Sequence, residues 1–430
     1  MSHTTHHHAA AAKQTPRAVV LYLHVHQPYR VRPYTIFEAG HDHNYFNQAD
    51  PAGGANNETI LKKVAKKSYM PMNAVLLELL HKHPEFHVAL SITGTVIEQM
   101  EQWAPEALDS FRELVATGRV EIVAETYYHS LAFFYSRFEF AKQVRMHEDK
   151  IKQVFGVKPQ VFRNTEFSYN NDLAYWADSM GYKGILTEGW DPILGWRSPN
   201  FVYRPSHTNN IRLLMKNYRM SDDIAFRFSN HNWREWPLTA DKYVQWINDL
   251  PAEQTNVNLF MDYETFGEHQ WAETGIFDFL KAFPAAFLQR TGNTFMTPSQ
   301  AIDAFAPVDT VDVPYTITWA DTERDLTAWL GNPMQQQAMH LLYELETDVL
   351  ATDDLGLIED WRRMQISDHP YYMCTKWFRD GDVHAYFSPY DSPYDAFMYY
   401  INSLRDLKLR IAEHSKKHTT SVSDQQGGTH

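Results

Sequence analysis

The chain has 430 residues, a formal net charge of −14, 44% hydrophobic residues and a single cysteine. The length suits one large barrel with an appended subdomain, or two to three domains. The acidic balance argues against a nucleic-acid partner. No apolar run approaches the roughly 20 residues that a membrane span needs, and the N-terminal stretch lacks a secretory signal. One cysteine cannot form an internal disulfide framework, so we expect a cytoplasmic protein. We expect no membrane or nucleic-acid partner. The sequence leaves the oligomeric state open.

Apolar runs of strand length alternate with amphipathic helical patterns along the first 262 residues. The predicted strands cover residues 18–26, 86–92, 119–125, 160–166, 183–188, 210–216 and 256–262. The predicted helices cover residues 69–85, 105–118, 136–156, 170–181 and 241–250. This alternation is typical of an α/β fold in which helices cover a mainly parallel sheet.

The pattern changes after residue 272, where strand signals fade and helical patterns dominate to about residue 365. A strand-like stretch follows at 384–390, and the last residues are polar. We therefore predict four units. They are a disordered N-terminal segment (1–17), a barrel domain (18–300), a mainly helical region that packs on the barrel (301–415) and a disordered tail (416–430).

Four of the predicted strands end in ionisable residues. The active sites of barrels and open α/β sheets lie at the carboxyl ends of their strands. A single acid after a strand is more often a helix cap or a solvated loop residue, but the coincidence on four strands favours one shared cleft. The residues are His24 and His26 on the first strand, followed by Glu125, Glu166 and Asp262 on later strands.

Five motifs, taken together, are far more specific than the strand endings. They are HQP (26–28), VEIVAETYYHSL (120–131), FRNTE (162–166), MDYETFGEHQW (261–271) and WADTERDLTAWLGN (319–332). They stand in the same order as the conserved regions of glycoside hydrolase family 57. Over roughly residues 18 to 390, the chain resembles an α-amylase-type member of that family.

The resemblance implies both a fold and a chemistry. The fold is an incomplete (β/α)7 barrel followed by helices, and the activity is retaining cleavage of α-1,4-glucans. Matched residue by residue, the family's nucleophile falls on Glu166 and its general acid/base on Asp262. His26 and His129 fall where the family contacts the sugar at the cleavage point.

The chemistry asks for such a carboxylate pair independently. Retaining hydrolysis needs one carboxylate to attack the anomeric carbon and a second, roughly 5–5.5 Å away, to protonate the leaving oxygen. We expect burial and nearby negative charge to raise the pKa of Asp262, so that it stays protonated until it donates. Glu264, two residues on, is expected to bind sugar or hold the loop and is the runner-up for the acid, ahead of Glu125.

Other polar and aromatic residues complete the predicted site. Arg163 either orients Glu166 through a bidentate pair or forms a structural salt bridge. Trp196 and Trp271 lie in loops and suit stacking on sugar rings, whereas tryptophans within helical patterns are assigned to the core. The predicted substrate-binding set is His24, His26, Glu125, His129, Arg163, Trp196, Glu264 and Trp271.

A metal-dependent carbohydrate deacetylase is a competing hypothesis. His24, His26, the 41–43 triplet HDH and Asp262 could be assembled into a metal site. The sequence contains no HExxH, no cysteine pair, no GxSxG and no GxGxxG, so we expect neither a metal nor another cofactor. The predicted function is a retaining hydrolase acting on starch- or glycogen-type glucans or maltooligosaccharides, with 4-α-glucanotransferase as the close alternative and a non-catalytic glucan-binding protein as another.

Overall fold

Ten strands are present in the part of the chain that the structure describes. The structure is a computed structural model, and it describes residues 16–376 and 387–426. Most of the strands are short, and all ten lie within residues 18–311. Their bounds are β1 Ala18–Val25, β2 Val88–Ile92, β3 Val120–Ile122, β4 Val161–Arg163, β5 Gly184–Glu188, β6 Val202–Pro205, β7 Arg212–Lys216, β8 Asn256–Asp262, β9 Thr294–Phe295 and β10 Thr310–Val311.

Seven of these strands follow one another around a barrel. Parallel pairing gives the orders β8-β1-β2-β3 and β7-β5-β4. A parallel bridge between Ala124 and Phe162 joins β3 to β4. On the other side, where β7 adjoins β8, the amide of Asn217 donates to the carbonyl of Asn258 at 2.9 Å. This architecture confirms the predicted α/β fold with an incomplete (β/α)7 barrel.

Side-chain alternation along the strands decides what fills the barrel. Val20 and Tyr22 of β1 pack inside it with Phe260 of β8, because successive side chains of a strand point to opposite faces. The next position of the same parity is His24 on β1 and Asp262 on β8. The polar strand ends therefore form a layer directly above an apolar barrel interior.

Helices cover the barrel and build the region that follows it. The helices from the barrel half are α1 Asn57–Val64, α2 Met70–Lys82, α3 Gly94–Trp103, α4 Pro105–Ala116, α5 Arg137–Phe155, α6 Asn171–Ser179, α7 Asp191–Leu194, α8 Tyr218–Ala225, α9 Ala240–Asn248 and α10 Ile276–Leu288. A π-helical segment, Ala65–Tyr69, joins α1 to α2. Later helices are α11 Pro298–Ala304, α12 Thr327–Leu330, α13 Pro333–Glu344, α14 Glu346–Leu350, α15 Leu355–Arg363, α16 Asp368–Tyr372 and α17 Pro393–Gln426. No helix in the described ranges is long and apolar enough to cross a membrane.

The later helices pack against the loop that leaves β1. A hydrophobic cluster joins Tyr29 and Tyr45 of that loop to Trp329 and Trp361 of the helical region. The fully buried carboxylate of Asp406 on α17 reinforces this contact, because it accepts a hydrogen bond of 2.6 Å from the amide of Gly40. The helical region is thereby held over the end of β1, where the polar strand ends lie.

Several element boundaries differ from the prediction. The strand predicted to reach residue 166 ends at Arg163, because the backbone at Glu166 turns into the left-handed region with φ of 59°. The strand predicted to reach residue 125 ends at Ile122, and only Ala124 pairs beyond it. In addition, β10 pairs with β6, so the sheets of the barrel take in residues beyond the predicted boundary at 300.

The predicted terminal segments lie partly outside the described residues. Residues 1–15 and 427–430 are outside them, but Arg17 is buried and donates to the carbonyl of Ala252 at 3.1 Å. Helix α17 runs through Gln426, so the backbone continues helically past residue 416, where the sequence predicted a disordered tail. Of the strand-like stretch at 384–390, the first three residues lie outside the described ranges and the other four form no strand.

Candidate active site

A cleft of about 440 Å³ opens at the carboxyl ends of β1, β4 and β8. Its volume lies in the range of small-molecule sites in proteins. The structure brings six of the ten predicted site residues to its walls: His24, His26, His129, Glu166, Asp262 and Glu264.

The other four predicted residues do not line the cleft. Glu125 and Arg163 are fully buried behind its wall. The side chain of Trp196 is 92% exposed just after α7, and that of Trp271 is 57% exposed with the Lys67 ammonium 5.3 Å from its ring. Neither tryptophan lines the cleft, because both lie on the outer surface, so stacking of these rings on sugar stays a prediction that would need a binding surface outside the cleft.

The backbone of Glu166 places its carboxylate at the cleft wall. Glu166 and Phe167 have φ values of 59° and 51°, a left-handed conformation that is uncommon for residues other than glycine. The buried ring of Phe167 packs edge-on against Trp319 with centroids 4.9 Å apart. The turn takes Glu166 out of the strand alternation and leaves its side chain 14% exposed.

Three donors from different parts of the chain hold the Glu166 carboxylate. His129 Nε2 lies 3.1 Å and Ser367 Oγ lies 3.0 Å from Oε1, while Trp319 Nε1 donates to Oε2 at 2.8 Å. Burial alone would raise the pKa of Glu166, but the hydrogen bond and positive charge of His129 hold it below its ordinary value. The Glu166 carboxylate is therefore ionised and held in one orientation, the state that a carboxylate nucleophile requires.

Arg163 does not orient Glu166. Its Nη1 atom lies 3.4 Å from Oε2 of Glu125, so the second predicted alternative, a structural salt bridge, describes it. The reason is strand alternation, since Arg163 is the last residue of β4 and its side chain lies within the barrel, whereas Glu166 is turned toward the cleft.

The buried carboxylate of Glu125 joins two histidines. Its Oε2 atom lies 3.2 Å from His24 Nε2 and 3.4 Å from His129 Nδ1. Burial would lower the pKa of His129, but its hydrogen bonds to Glu125 and Glu166 raise it to about 9. His129 is therefore an imidazolium at neutral pH. Glu125, despite its burial, has a pKa well below its ordinary value because His24, His129 and Arg163 surround it.

Asp262 is the more exposed of the two candidate catalytic acids. Its side chain is 38% exposed, and its Oδ1 atom lies 3.6 Å from His24 Nδ1. Burial acts to raise the pKa of Asp262, but His24 outweighs it and the net shift is downward. The expectation of a raised pKa for Asp262 is therefore wrong for the unliganded protein, because the sequence did not reveal that a histidine lies beside it.

Glu264 shows the shift that was expected of Asp262. Burial, together with the charge of Asp262, raises the pKa of Glu264 to about 8. Its Oε1 atom accepts a hydrogen bond of 2.6 Å from Tyr69 and one of 3.4 Å from the amide of His26. These contacts tie the loop after β8 to the end of β1. Because Glu264 is only 5% exposed, its geometry suits holding the loop.

His26 connects the barrel to the helical region. Its Nδ1 atom lies 2.9 Å from Thr93 Oγ1, and its Nε2 atom lies 3.0 Å from Asp368 Oδ2. Burial and the neighbouring charge of His129, whose ring centroid lies 4.1 Å away, lower the pKa of His26 to about 4. His26 is thus neutral, so Nε2–H donates to Asp368 and Nδ1 accepts from Thr93.

Sequence reasoning missed the contribution of the helical region. Trp319, Ser367 and Asp368 contact Glu166 or His26 directly. Trp319 begins the last of the five motifs, so that motif was the available signal for it. Ser367 and Asp368 lie just before HPYY in a segment without any motif, and only the fold brings them to Glu166 and His26.

Comparison with known proteins gives the family. The sequence profile described as glycosyl hydrolase family 57 matches residues 20–314. The chain belongs to glycosyl hydrolase family 57. It is therefore a glycoside hydrolase, which confirms the resemblance that the five motifs indicated.

Three relatives illustrate the range of this family. A protein of Methanocaldococcus jannaschii, provisionally named an alpha-amylase, is 42% identical over 368 residues, which cover 83% of this chain and 78% of the relative. A 4-alpha-glucanotransferase of Thermococcus litoralis is 20% identical over 276 residues, 63% of this chain but 40% of that longer protein. The fold is similar to that of a family 57 branching enzyme from Thermococcus kodakaraensis, with a TM-score of 0.68, 12% identity and coverage of 92% and 90%.

The hydrolase carries a second set of charged groups along the same cleft. Lys216 and Arg324 both line it. Lys216 Nζ lies 3.2 Å from Asp222, and Arg324 Nε lies 3.5 Å from the buried carboxylate of Glu188. Each of these two cations is therefore paired with a carboxylate of the same region.

Two sets of side chains in the described part of the hydrolase could hold a metal ion. They are His24, Glu125 and His129, and His26, His129 and Asp368, with donor atoms within 4.8 Å of one another in each set. In the first set the shared oxygen of Glu125 lies within hydrogen-bonding distance of both histidines, and in the second set His26 is bonded to Asp368. A metal ion would have to replace the hydrogen bonds of His129 with Glu125 and of His26 with Asp368.

Proposed function

We propose that this family 57 hydrolase cleaves α-1,4-glucosidic bonds in starch- or glycogen-type glucans or maltooligosaccharides with retention of configuration. The observation that carries the proposal is the state of Glu166. Its carboxylate stands at the wall of a cleft, is ionised, and is held by His129, Ser367 and Trp319. A carboxylate held in this way can attack a carbon atom without first reorienting.

The first half of the reaction assigns one role to each carboxyl group. Glu166 attacks the anomeric carbon while Asp262, in its protonated form, gives its proton to the leaving glycosidic oxygen. The C–O bond to the leaving sugar breaks as an ester bond to Glu166 forms. Asp262 is ionised and Glu166 uncharged when this step is complete.

The second half reverses the roles. Asp262, now a carboxylate, takes a proton from water, and the resulting hydroxide attacks the anomeric carbon. The ester bond breaks, Glu166 leaves as a carboxylate, and Asp262 is protonated again. Two inversions at the same carbon return the α configuration.

The proposed substrate class rests on the relatives and on the cleft lining. Relatives of this chain carry the names alpha-amylase and 4-alpha-glucanotransferase. The walls of the cleft combine aromatic rings with the paired charges of Lys216 and Arg324. Flat apolar faces beside hydrogen-bonding groups suit neutral, hydroxyl-rich rings. The aromatic residues are Phe226, Trp319, Trp329, Tyr371, Tyr372 and Phe387.

Transfer to a sugar acceptor, as in a 4-α-glucanotransferase, is the second candidate. A sugar hydroxyl then replaces water in the second half of the reaction, and the same two carboxyl groups serve. The aromatic lining favours this alternative, because rings that stack on an acceptor sugar also displace water from the neighbourhood of the ester.

Product analysis with maltooligosaccharides tests the proposal. Incubation with maltopentaose is expected to give shorter sugars, together with longer ones if transfer competes, and proton NMR is expected to show the α anomer first. An initial β anomer would remove Glu166 from the nucleophile role. No change in the glucans, combined with chelator-sensitive acetate release from an acetylated sugar, would instead support a metal-dependent deacetylase.

A further inference from the structure

Five side chains form a continuous path in which carboxylates and imidazoles alternate. Its order is Asp262, His24, Glu125, His129 and Glu166, and each neighbour in the path is in contact with the next. The successive distances are 3.6, 3.2, 3.4 and 3.1 Å. The two ends of the path are the two proposed catalytic carboxyl groups.

The middle of the path is a single oxygen atom. Oε2 of Glu125 lies near both His24 Nε2 and His129 Nδ1, and Nη1 of Arg163 lies 3.4 Å from the same oxygen. Glu125 is fully buried and does not line the cleft. It therefore has no contact with substrate, and its influence on the reaction must act through the two histidines.

The other groups around Glu125 leave this path intact. His147 on α5 accepts the Glu125 amide proton at Nδ1 and donates from Nε2 to a carbonyl, so it is neutral. The Tyr22 hydroxyl lies against Ser91, and burial raises the pKa of Tyr22 above its ordinary range. Arg163, which is always charged, keeps Glu125 ionised and lies 3.5 Å from both facing histidine nitrogens.

The proposed reaction moves negative charge from one end of the path to the other. Before the first step Glu166 is ionised and Asp262 protonated. Once the glycosyl ester has formed, Glu166 is neutral and Asp262 ionised. An imidazolium at His129 stabilises the first arrangement, whereas an imidazolium at His24 stabilises the second.

We propose that Glu125 is a positioning residue that relays one proton between the two histidines during each half-reaction. Formation of the ester removes the charge that holds the proton on His129. The Nδ1–H bond of His129 breaks and the proton passes to Oε2 of Glu125. It then passes from Oε2 to Nε2 of His24. His129 ends neutral, His24 ends as an imidazolium, and Glu125 is again a carboxylate.

The relay, which rests on the proposed function, explains how Asp262 serves as acid and then as base. While His24 is neutral, with its proton on Nδ1, burial favours the protonated form of Asp262. When His24 is charged, it favours the carboxylate that the second half-reaction needs.

The relay can be observed on the histidines without measuring turnover. The protein is labelled with ¹⁵N-histidine, and the ring signals are assigned with His24→Asn and His129→Asn variants. In the free protein at neutral pH we expect the imidazolium signature on His129. After reaction with 5-fluoro-α-glucosyl fluoride, which leaves a slowly hydrolysed glycosyl group on a retaining nucleophile, we expect that signature on His24. Mass spectrometry of the labelled peptide shows separately whether Glu166 carries the sugar.

Variants that imitate the charge change make the test independent of trapping. Glu166→Gln removes the same charge, so it should also move the imidazolium signature to His24. In the Glu125→Gln/Glu166→Gln protein His24 should stay neutral at the same pH. Glu139→Gln is the matched control, because Glu139 is equally buried but contacts Arg362 and Gln143 rather than a histidine. A His24 signal that is the same in all these proteins would overturn the relay even if the chain is an active α-glucanase.

Kinetics separate the relay from a purely structural role of Glu125. With an aryl glucoside that has a good leaving group, Glu125→Gln should slow the second half-reaction by roughly 10²-fold, so that a burst of aryl release precedes slow turnover. Glu125→Asp, which keeps the carboxylate, should restore part of the loss. An equal loss in both half-reactions, without a burst, would assign Glu125 a structural role alone.

Discussion

The two walls of the cleft differ in origin and in what they do to Glu166. The barrel wall contributes His129, which meets Oε1 of Glu166 and is itself joined to Glu125 and His24. The helical wall contributes Ser367 to the same oxygen and Trp319 to the other one. The barrel wall therefore supplies the positive charge that stabilises the ionised carboxylate, whereas the helical wall supplies neutral donors that fix its direction and also favour its ionised form.

This division follows from the way each wall is built. Parallel strands bring their last inward-facing residues to one level, so several ionisable groups meet there and share protons. The helical wall is held by hydrophobic packing against the loop after β1, and it supplies neutral donors and one acid, Asp368. The pKa of Asp368 is held well below its ordinary value. At the acid pH where Asp368 titrates, below the pKa of His26, the charge of His26 and its hydrogen bond outweigh the burial of Asp368.

Removing the group that both walls share should have the largest effect. Glu166→Gln keeps the shape of the side chain but cannot attack the anomeric carbon, so turnover of maltooligosaccharides should fall roughly 10⁴-fold or more. Calorimetric titration should show that maltooligosaccharide binding is largely kept, and thermal unfolding should show that the melting temperature is largely kept. Turnover within tenfold of the native protein would pass the nucleophile role to another carboxylate of the cleft.

A change confined to the barrel wall should separate the two half-reactions. Asp262→Asn should lower turnover of maltooligosaccharides by roughly 10³-fold, since proton transfer contributes about 10²–10⁴. Fluoride release from α-glucosyl fluoride should lose much less in the first turnover, because that leaving group needs no proton. Glu264→Gln provides the comparison, and a larger loss of maltooligosaccharide turnover in that variant would make Glu264 the acid.

The sequence predicted the barrel wall because strand alternation and motif order are local signals. His24 and Asp262 could be placed at the ends of apolar strands, and the apolar runs predicted a mainly parallel sheet, while the barrel itself was implied by the family resemblance. Glu166 was also found from its motif, although the predicted strand reached three residues too far. The left-handed turn at Glu166 could not be predicted, because the pattern of apolar residues does not report backbone dihedral angles.

The helical wall and the proton states could not be predicted in the same way. Ser367 contacts Glu166 across 201 positions of sequence, so only tertiary packing brings the two together. The pKa of Asp262 was expected to rise and is lowered, since the direction depends on the position of His24 Nδ1 3.6 Å away. Distances of this kind are set by the whole fold.

A change confined to the helical wall should shift the pH profile. Ser367→Ala removes one hydrogen bond to ionised Glu166, worth about 1.5–3 kcal/mol, which corresponds to roughly one to two pH units. Donors to the ionised form lower the pKa of Glu166, so their loss raises it. The acid limb of kcat/KM should therefore move to higher pH, while the alkaline limb stays in place.

The control for this variant is a buried serine that does not touch a catalytic carboxylate. Ser130 donates to Gln143 at 2.7 Å, so Ser130→Ala should leave the acid limb where it is. Equal shifts in the two variants would show that Ser367 acts through general destabilisation of the site. A downward shift of the acid limb in Ser367→Ala would contradict its role as a donor to ionised Glu166.

Glu264 allows the barrel wall to be examined through stability. Its pKa of about 8 in the folded protein exceeds the value of about 4.3 in an unfolded chain. The folded state thus binds an extra proton between these two values, and stability falls as pH rises through that window. Glu264→Gln removes the titrating group, so the melting temperature should decline less between pH 5 and pH 8 than in the native protein. A decline at least as steep as in the native protein would mean that Glu264 is not buried as a neutral acid.

The smallest effect is expected outside both walls. Trp196 is 92% exposed and does not line the cleft, and surface substitutions usually change the free energy of unfolding by no more than about 0.5 kcal/mol. Trp196→Ala should therefore change kcat and KM for maltopentaose by less than about twofold. Trp319→Phe is the matched comparison, because it removes the indole donor to Glu166 at 2.8 Å, and it should lower kcat more than it raises KM. A KM increase of tenfold or more in Trp196→Ala would instead place bound glucan on the outer loop and extend the binding surface beyond the two walls.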